Sequence, residues 1–377
     1  MSAGQRAYPP GQHPDLPPPA GTVGPLAWAR ANLLSTPFNI ALTLAALGFL
    51  LWAIPPLVDW AILSADFAVH DSSRACTGAG ACWAVVSNQP EQYLWGFYPA
   101  DSLWRPALVA LYLLGVVYVT LARRVPFRRK LLWGVAAFPF LAAWLLHGGL
   151  GLDIVSTRQW GGFLLTLVVG VTGIIASLPF GILLALGRRS ELPLIRALST
   201  GFIETIRGIP LIIFLFFASV MLPLFFPEGV SFDKLVRVLI VVVMFSGAYM
   251  AEVIRGGLQA VPRGQFEAAS ALGLGYWQAM GLIVLPQALR IAIPGIVNNF
   301  IALFKDTSLV AIIGLFDLLG TAQLILRNEN WIAAPEEAYV FVALLFWIPC
   351  FLMSRYSLSL ERRLDAAPRA VKRAPAE

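Results

Sequence analysis

What most constrains this chain is a series of apolar runs too long for any soluble core. Several exceed the roughly 20 residues that an α-helix needs to cross a hydrocarbon layer. In that layer every backbone N–H and C=O must be satisfied within its own segment, so such runs read as helix. Composition agrees: 58% of residues are hydrophobic and 13% charged, about half the charged share of ordinary soluble domains. The expected fold class is all-α, a polytopic helical membrane protein with about eight transmembrane helices.

Taken in order, residues 1–36 hold seven prolines in their first 30 positions. They lack the charged start, apolar middle and small-residue cleavage site of a signal peptide, and read as a disordered cytoplasmic tail. The first span, 38–54, runs on past Pro55 and Pro56 to about Leu63. A polar segment, 64–106, carries Cys76, Cys82, Trp83, Trp95 and Trp104; tryptophans suit a membrane–water interface. Spans are expected at 107–122, 131–152, 163–186, 210–226, 235–258, 289–305 and 339–358. The segment 307–319 is apolar but too short to cross, and reads as a re-entrant piece near the outer face. Residues 200–207 are expected along the inner surface, with Glu204 and Arg207 on one helix face. The chain thus divides into the tail, a three-helix extension over 37–152 with its periplasmic loop 64–106, a five-helix core over 153–362, and a basic tail over 363–377.

Basic residues orient this series. The net charge of +6 is no sign of nucleic acid, because the cations fall in loops between apolar runs. RRVPFRRK at 123–130 is the densest cluster and reads as a topology anchor. Segments on the cytoplasmic side of this topology hold 20 of the 27 lysines and arginines, and external ones hold 7. Both termini and the stretch 261–290 are then cytoplasmic.

That stretch, VPRGQFEAASALGLGYWQAMGLIVLPQALR, is Gly-broken and moderately polar between two apolar runs. The pattern predicts a helix over 265–272, ending at Gly273 or Gly275, because glycine tolerates the left-handed C-terminal conformation. A second helix over 276–284 is expected to stop near Pro286. Small Ala268, Ala269 and Ala271 leave room for another protein's groove. The competing reading, an amphipathic helix on the lipid surface, calls for many lysines and arginines, and only Arg263 and Arg290 are present.

The sequence EAA, three residues, Gly, nine residues, I-x-L-P at 267–286 resembles the cytoplasmic coupling loop of ABC importer permeases. The flanks, RGIPLIIFLFF at 207–217, SGAYMAEVIRGGLQAVPRGQFEAA at 246–269 and FKDTSLVAIIG at 304–314, are similar to those of polar-amino-acid permeases, in particular the M-subunit branch of general L-amino-acid importers. The likeness is good over roughly 160–360 and loose in the N-terminal third. It implies a type I importer permease core with three extra N-terminal helices, in a bacterial inner membrane. The implied partners are a dimer of ATP-binding subunits, a second homologous permease, a periplasmic amino-acid-binding protein, membrane lipid and an L-amino-acid substrate. ATP and magnesium would sit on the ATPase, with no cofactor in this chain. By the same likeness Glu267 contacts the ATPase groove, Ala268 and Ala269 pack into it, Gly273 makes the turn, and Pro286 closes the motif.

Other residues are read directly. No G-x-x-x-x-G-K-[ST] phosphate loop occurs, no cluster has metal-ligand spacing, and three dispersed histidines cannot build a base with its orienter; a membrane enzyme is disfavoured. Glu252 and Arg255, three apart in the sixth span, can pair on one face and orient the loop. Asn298, Asn299, Lys305, Asp306 and Thr307 interrupt the seventh span. They either line a substrate path, with freed N–H groups at a half-helix beginning at Thr307, or hydrogen-bond within the bundle. Cys76 and Cys82 form a disulfide, worth about 2 kcal/mol, or stay as two thiols; the sequence leaves both open. A secondary transporter driven by an ion gradient is the alternative function, and it lacks support from internal repeats or midplane carboxylates.

Overall fold

The computed structural model describes residues 24–122, 131, 133–227 and 232–372, with side chains as far as 362. Most of the N-terminal tail, the basic cluster 123–130, the outer turn at Glu228-Gly229 and the last five residues lie outside the described residues. The chain divides into two units, Met1–Asp66 with Thr77–Ala81, and Phe67–Cys76 with Cys82–Glu377.

The first unit is built on α1 (Pro37–Val58), which continues as a π-helical turn, Asp59–Leu63. Thr36 caps its start by accepting from the Asn39 N–H at 3.1 Å. Pro55 and Pro56 lie inside the helix without ending it. At its far end the carbonyls of Trp60 and Ser64 accept from the N–H groups of Ala81 and Gly80, at 2.8 and 3.0 Å. No residue of α1 is buried, as expected of an apolar helix that meets lipid all round.

Among the described residues of the second unit, the helices that matter here are ten. They are α2 (Trp104–Leu121), α3 (Trp133–His147), α4 (Gly162–Arg188), α5 (Pro193–Gly208), α6 (Leu211–Phe216), α7 (Lys234–Ala260), α8 (Arg263–Ala271), α9 (Leu285–Asp306), α10 (Leu318–Ile325) and α11 (Pro335–Lys372). Among the described residues six helical stretches are long and apolar enough to cross a membrane, or seven if the bent pair formed by α5 and Leu211–Phe225 is one span. The count is below the eight expected for two reasons. The described part of α3 has 15 residues and rises about 22 Å, with helical backbone again at Leu131. The fifth span is the second arm of a pair bent by 100° at Ile209-Pro210.

Between helices in lipid there is no hydrophobic driving force, so close packing and small residues decide which helices meet. Helices α4 and α7 form the centre in this way. A Cβ added at Gly181 would lie 2.7 Å from Met250 Cβ, and one at Gly173 would lie 2.9 Å from Val242. Helix α9 packs on α7, where Gly257 faces the Ala288 carbonyl, and also on α4, where a Cβ at Gly173 would lie 3.0 Å from Leu303. Helices α2 and α3 join through stacked Tyr112 and Phe138, with the Tyr112 hydroxyl donating to the Gly134 carbonyl at 2.6 Å, and Phe138, Ala142 and Leu146 share a buried cluster with Leu164 and Leu165 of α4.

Two irregular turns are held by cations of α7. The π turn Phe217–Met221 leaves carbonyls without helical partners, and Arg237 donates to those of Ala218 and Ser219 at 2.6 and 3.0 Å. Lys234 donates to the Ile313 carbonyl at 2.6 Å, beside Gly314, whose φ of 76° ends a 3₁₀ segment.

At the opposite end of the bundle from α8, the segment 82–95 packs on α10 and the start of α11. Val85, Tyr93, Leu318, Trp331 and Ala338 are buried together there. Cys76 and Cys82 are disulfide-bonded, with Cα atoms 5.9 Å apart. The Glu337 carboxylate accepts from the Cys82 N–H at 2.8 Å, and the Asn330 carbonyl accepts from the Ser73 hydroxyl at 2.8 Å. Asp317, fully buried, caps α10 by accepting from the Gly320 N–H at 2.9 Å. Burial pushes its carboxyl up to about 6, against the lowering effect of the Gly320 and Leu319 amides.

Candidate functional site: the glycine-broken loop and its seat

Helix α8 follows α7 after only two residues, Val261 and Pro262, and Pro262 presets the first turn. Its C-terminus is made by Gly273 at φ 72°, with the Leu274 N–H reaching back to the Ala269 carbonyl at 3.1 Å. A Cβ at Gly273 would meet nothing within 4 Å; the backbone conformation, and not space, calls for glycine here. The chain re-enters helix at Tyr276–Ala279, where the Gln278 side chain accepts from the Gly275 N–H at 3.1 Å.

The second short helix does not stop near Pro286 as the sequence suggested. It passes through a π turn, Met280–Val284, straight into α9, and the Leu285 N–H bonds Met280 O, five residues back. The wider turn makes room where the Pro286 ring would otherwise press on a carbonyl one turn earlier.

The motif residues do not all face outward. Glu267 and Ala268 are exposed, whereas Ala269 is fully buried in this chain. Ala269 was expected to pack into a partner's groove; it instead lets α8 lie close against its own helix bundle. The side chains that do project are Leu272, Tyr276 and Trp277, at 75%, 55% and 73% exposure. Sequence reasoning passed over them, because an aromatic in a membrane chain reads first as an interface anchor.

Behind the loop, Glu252 gathers three arginines from three helices. Its carboxylate lies 2.9 Å from Arg255, 2.7 Å from Arg188 at the end of α4, and 3.8 Å from Arg207 of α5. Glu204 does not meet Arg207 on its own helix face; it pairs with Arg188 at 2.8 Å. Arg189 lies with its guanidinium 5.9 Å from the Phe266 ring centre and donates to the Leu258 carbonyl at 3.3 Å. Gln287 of α9 donates to Gln265 of α8 at 3.0 Å. A carboxylate at the membrane edge is costly unless paired, and this one is paired on every side.

The polar residues of α9 fall into two sets. Asn299 donates to the backbone and hydroxyl of Ser246 on α7 at 3.3 and 3.2 Å. Thr307 is buried and donates to the Phe304 carbonyl at 2.7 Å. Asn298 and Lys305 are exposed on one helical stripe with Ile291, Pro294 and Ala302, and Asp306 is half-buried beside it. The expected break after Lys305-Asp306 is absent. The Thr307 N–H still bonds Leu303 O, and the helix tightens into the 3₁₀ segment Thr307–Ile313. No freed N–H group opens at Thr307; the next helix start is α10, whose cap is Asp317.

Comparison with known proteins places this architecture. The family model described as binding-protein-dependent transport system inner membrane component matches residues 177–366. The chain is 49% identical over 356 residues to the inner membrane amino-acid ABC transporter permease protein YhdY of Escherichia coli, covering 94% of this chain and 96% of that one. It is 42% identical over 416 residues to the glutamate/glutamine/aspartate/asparagine transport system permease protein BztC of Rhodobacter capsulatus, covering 92% and 95%. A shorter relative, the probable glutamine ABC transporter permease protein GlnP of Bacillus subtilis, is 38% identical over 55% of this chain and 91% of its own length.

Proposed function

Because this chain belongs to the family of inner membrane components of binding-protein-dependent transport systems, we propose that it is the membrane-spanning permease subunit of an ATP-driven importer of polar L-amino acids, broad in specificity. The observation that carries this reading is similarity over nearly the whole length to two permeases named for amino-acid transport. Its partners are a pair of ATP-binding subunits, a second homologous permease and a soluble amino-acid-binding protein. ATP and magnesium bind on the ATPase, and this chain carries no nucleotide site of its own. Both termini lie on the cytoplasmic side of the inner membrane.

In this reading the exposed Glu267 and Ala268, with the Leu272–Tyr276–Trp277 patch, form the surface that the ATPase grips. Gly273 holds their relative direction, and Ala269 and Pro286 hold the loop to its seat. Glu252 and Arg255 fix the helix ends behind it. Exposed Asn298 and Lys305, with Asp306, line the route of the substrate, whose carboxylate and ammonium need both donors and acceptors. Asn299 and Thr307 hold the helices that shape that route.

The test is amino-acid uptake in vesicles containing the assembled complex. Uptake must require both ATP and the binding protein and persist when the proton gradient is collapsed. Uptake that survives without ATP and dies with the gradient would favour a secondary transporter.

A further inference from the structure

We propose that Arg189 and Phe266 are positioning residues that carry movement of α8 into α4. The proposal rests on the importer reading and adds a route that neither the coupling motif nor the family likeness assigns. Helix α8 is joined covalently to α7, through Val261 and Pro262, and by way of Tyr276–Val284 to α9, but not to α4. A push on α8 reaches α4 directly only where a side chain bridges the two. Arg189 does so. It is the C-cap of α4; its guanidinium faces the Phe266 ring of α8 at 5.9 Å; and it donates to Leu258 O in the last turn of α7 at 3.3 Å.

The chemistry suits a contact that must hold while helices shift. The Leu258 carbonyl is one of the last four of α7, which lack helical donors, and a cation near a helix C-terminus also meets the favourable end of its dipole. A guanidinium over a ring face is attracted without a narrow directional requirement, so the contact survives a small slide. Its neighbour Arg188 turns the other way, to Glu252 and Glu204. Two adjacent arginines thus join α8 to α4, and α4 to α5 and α7.

The experiment uses the complete complex in proteoliposomes, with binding protein inside reach of substrate, and reads ATP hydrolysed per amino acid imported. Arg189→Ala and Phe266→Leu are each expected to raise that ratio at least about 5-fold, the lower end of ordinary inter-site coupling, while the ATPase still co-purifies. Phe266→Tyr keeps the ring face and restores a ratio near that of the parent. The double variant is no worse than the poorer single variant, because both remove one contact. An unchanged ratio in both single variants, or additive losses in the double variant, overturns the proposal. Loss of the ATPase from the complex overturns it as well, in favour of a docking role. Failure of the importer reading is separate: the parent complex itself would then show no ATP-dependent uptake.

Discussion

At Gly273 the backbone is left-handed in open space, so any side chain is strained there by about 1–2 kcal/mol. Gly273→Asp is expected to leave membrane insertion intact and to abolish ATP-driven uptake, measured by membrane fractionation beside a transport assay. Trp277, 73% exposed on the same loop, belongs to the patch proposed to meet the ATPase. Trp277→Ala is expected to weaken capture of the ATPase by about 30-fold, the factor that goes with a hot spot of about 2 kcal/mol, in a titration of purified ATPase. Gly273 was legible because a glycine after a short helical pattern has one common use. The burial of Ala269 was not, since alanine reads alike on either face of a helix. The Glu252–Arg255 spacing was visible as i,i+3, whereas Arg188 and Arg207 reach Glu252 from other helices, which no local pattern records.

Among the elements, long apolar runs announced themselves: α1, α2, α4, α7 and α9 stand within a few residues of their expected positions, and α11 starts near its own but runs on to Lys372. What hydropathy does not encode is helix winding. The π turn before Pro286 and the 3₁₀ continuation after Asp306 keep one helical path where proline and polar residues suggested two breaks. Helix α10 depends on a buried acid. Burial pushes the Asp317 carboxyl up to about 6 in the folded protein, against an ordinary value of 3.8, so folding favours its neutral form. Below about pH 4 the group is protonated folded or unfolded and costs nothing. As pH rises through about 6 the folded state must ionise it in a buried site, and stability is lost. Asp317→Asn keeps a cap-forming side chain and is expected to flatten the fall in thermal midpoint between about pH 4 and 6. In the outer segment, Cys76→Ser is expected to cost about 2–4 kcal/mol, seen as a lower midpoint that reductant reproduces in the parent protein.

For the molecule as a whole, the order of its long helices was readable from apolar runs. The packing of α2 and α3 on α4 was not, because no periodicity says which apolar faces meet. Near-full-length similarity to two permeases, beside a shorter relative matching 55% of the chain, makes the extension a feature of some members of the family. Its outer segment has a consequence in time. Ser73 donates to the Asn330 carbonyl across 257 residues of sequence, and Cys82 to Glu337 across 255. At synthesis rates of about 5–20 residues per second, the early segment waits roughly 13–50 s for its docking surface to be made. Through that interval Tyr93 and Val85, buried in the finished protein, lack the cover that Leu318, Trp331 and Ala338 later give them. The disulfide closes a loop of six residues' separation and needs none of the later chain. It can therefore set the shape of the waiting segment before the rest of the protein exists, which makes disulfide formation an early step of assembly and not a final seal.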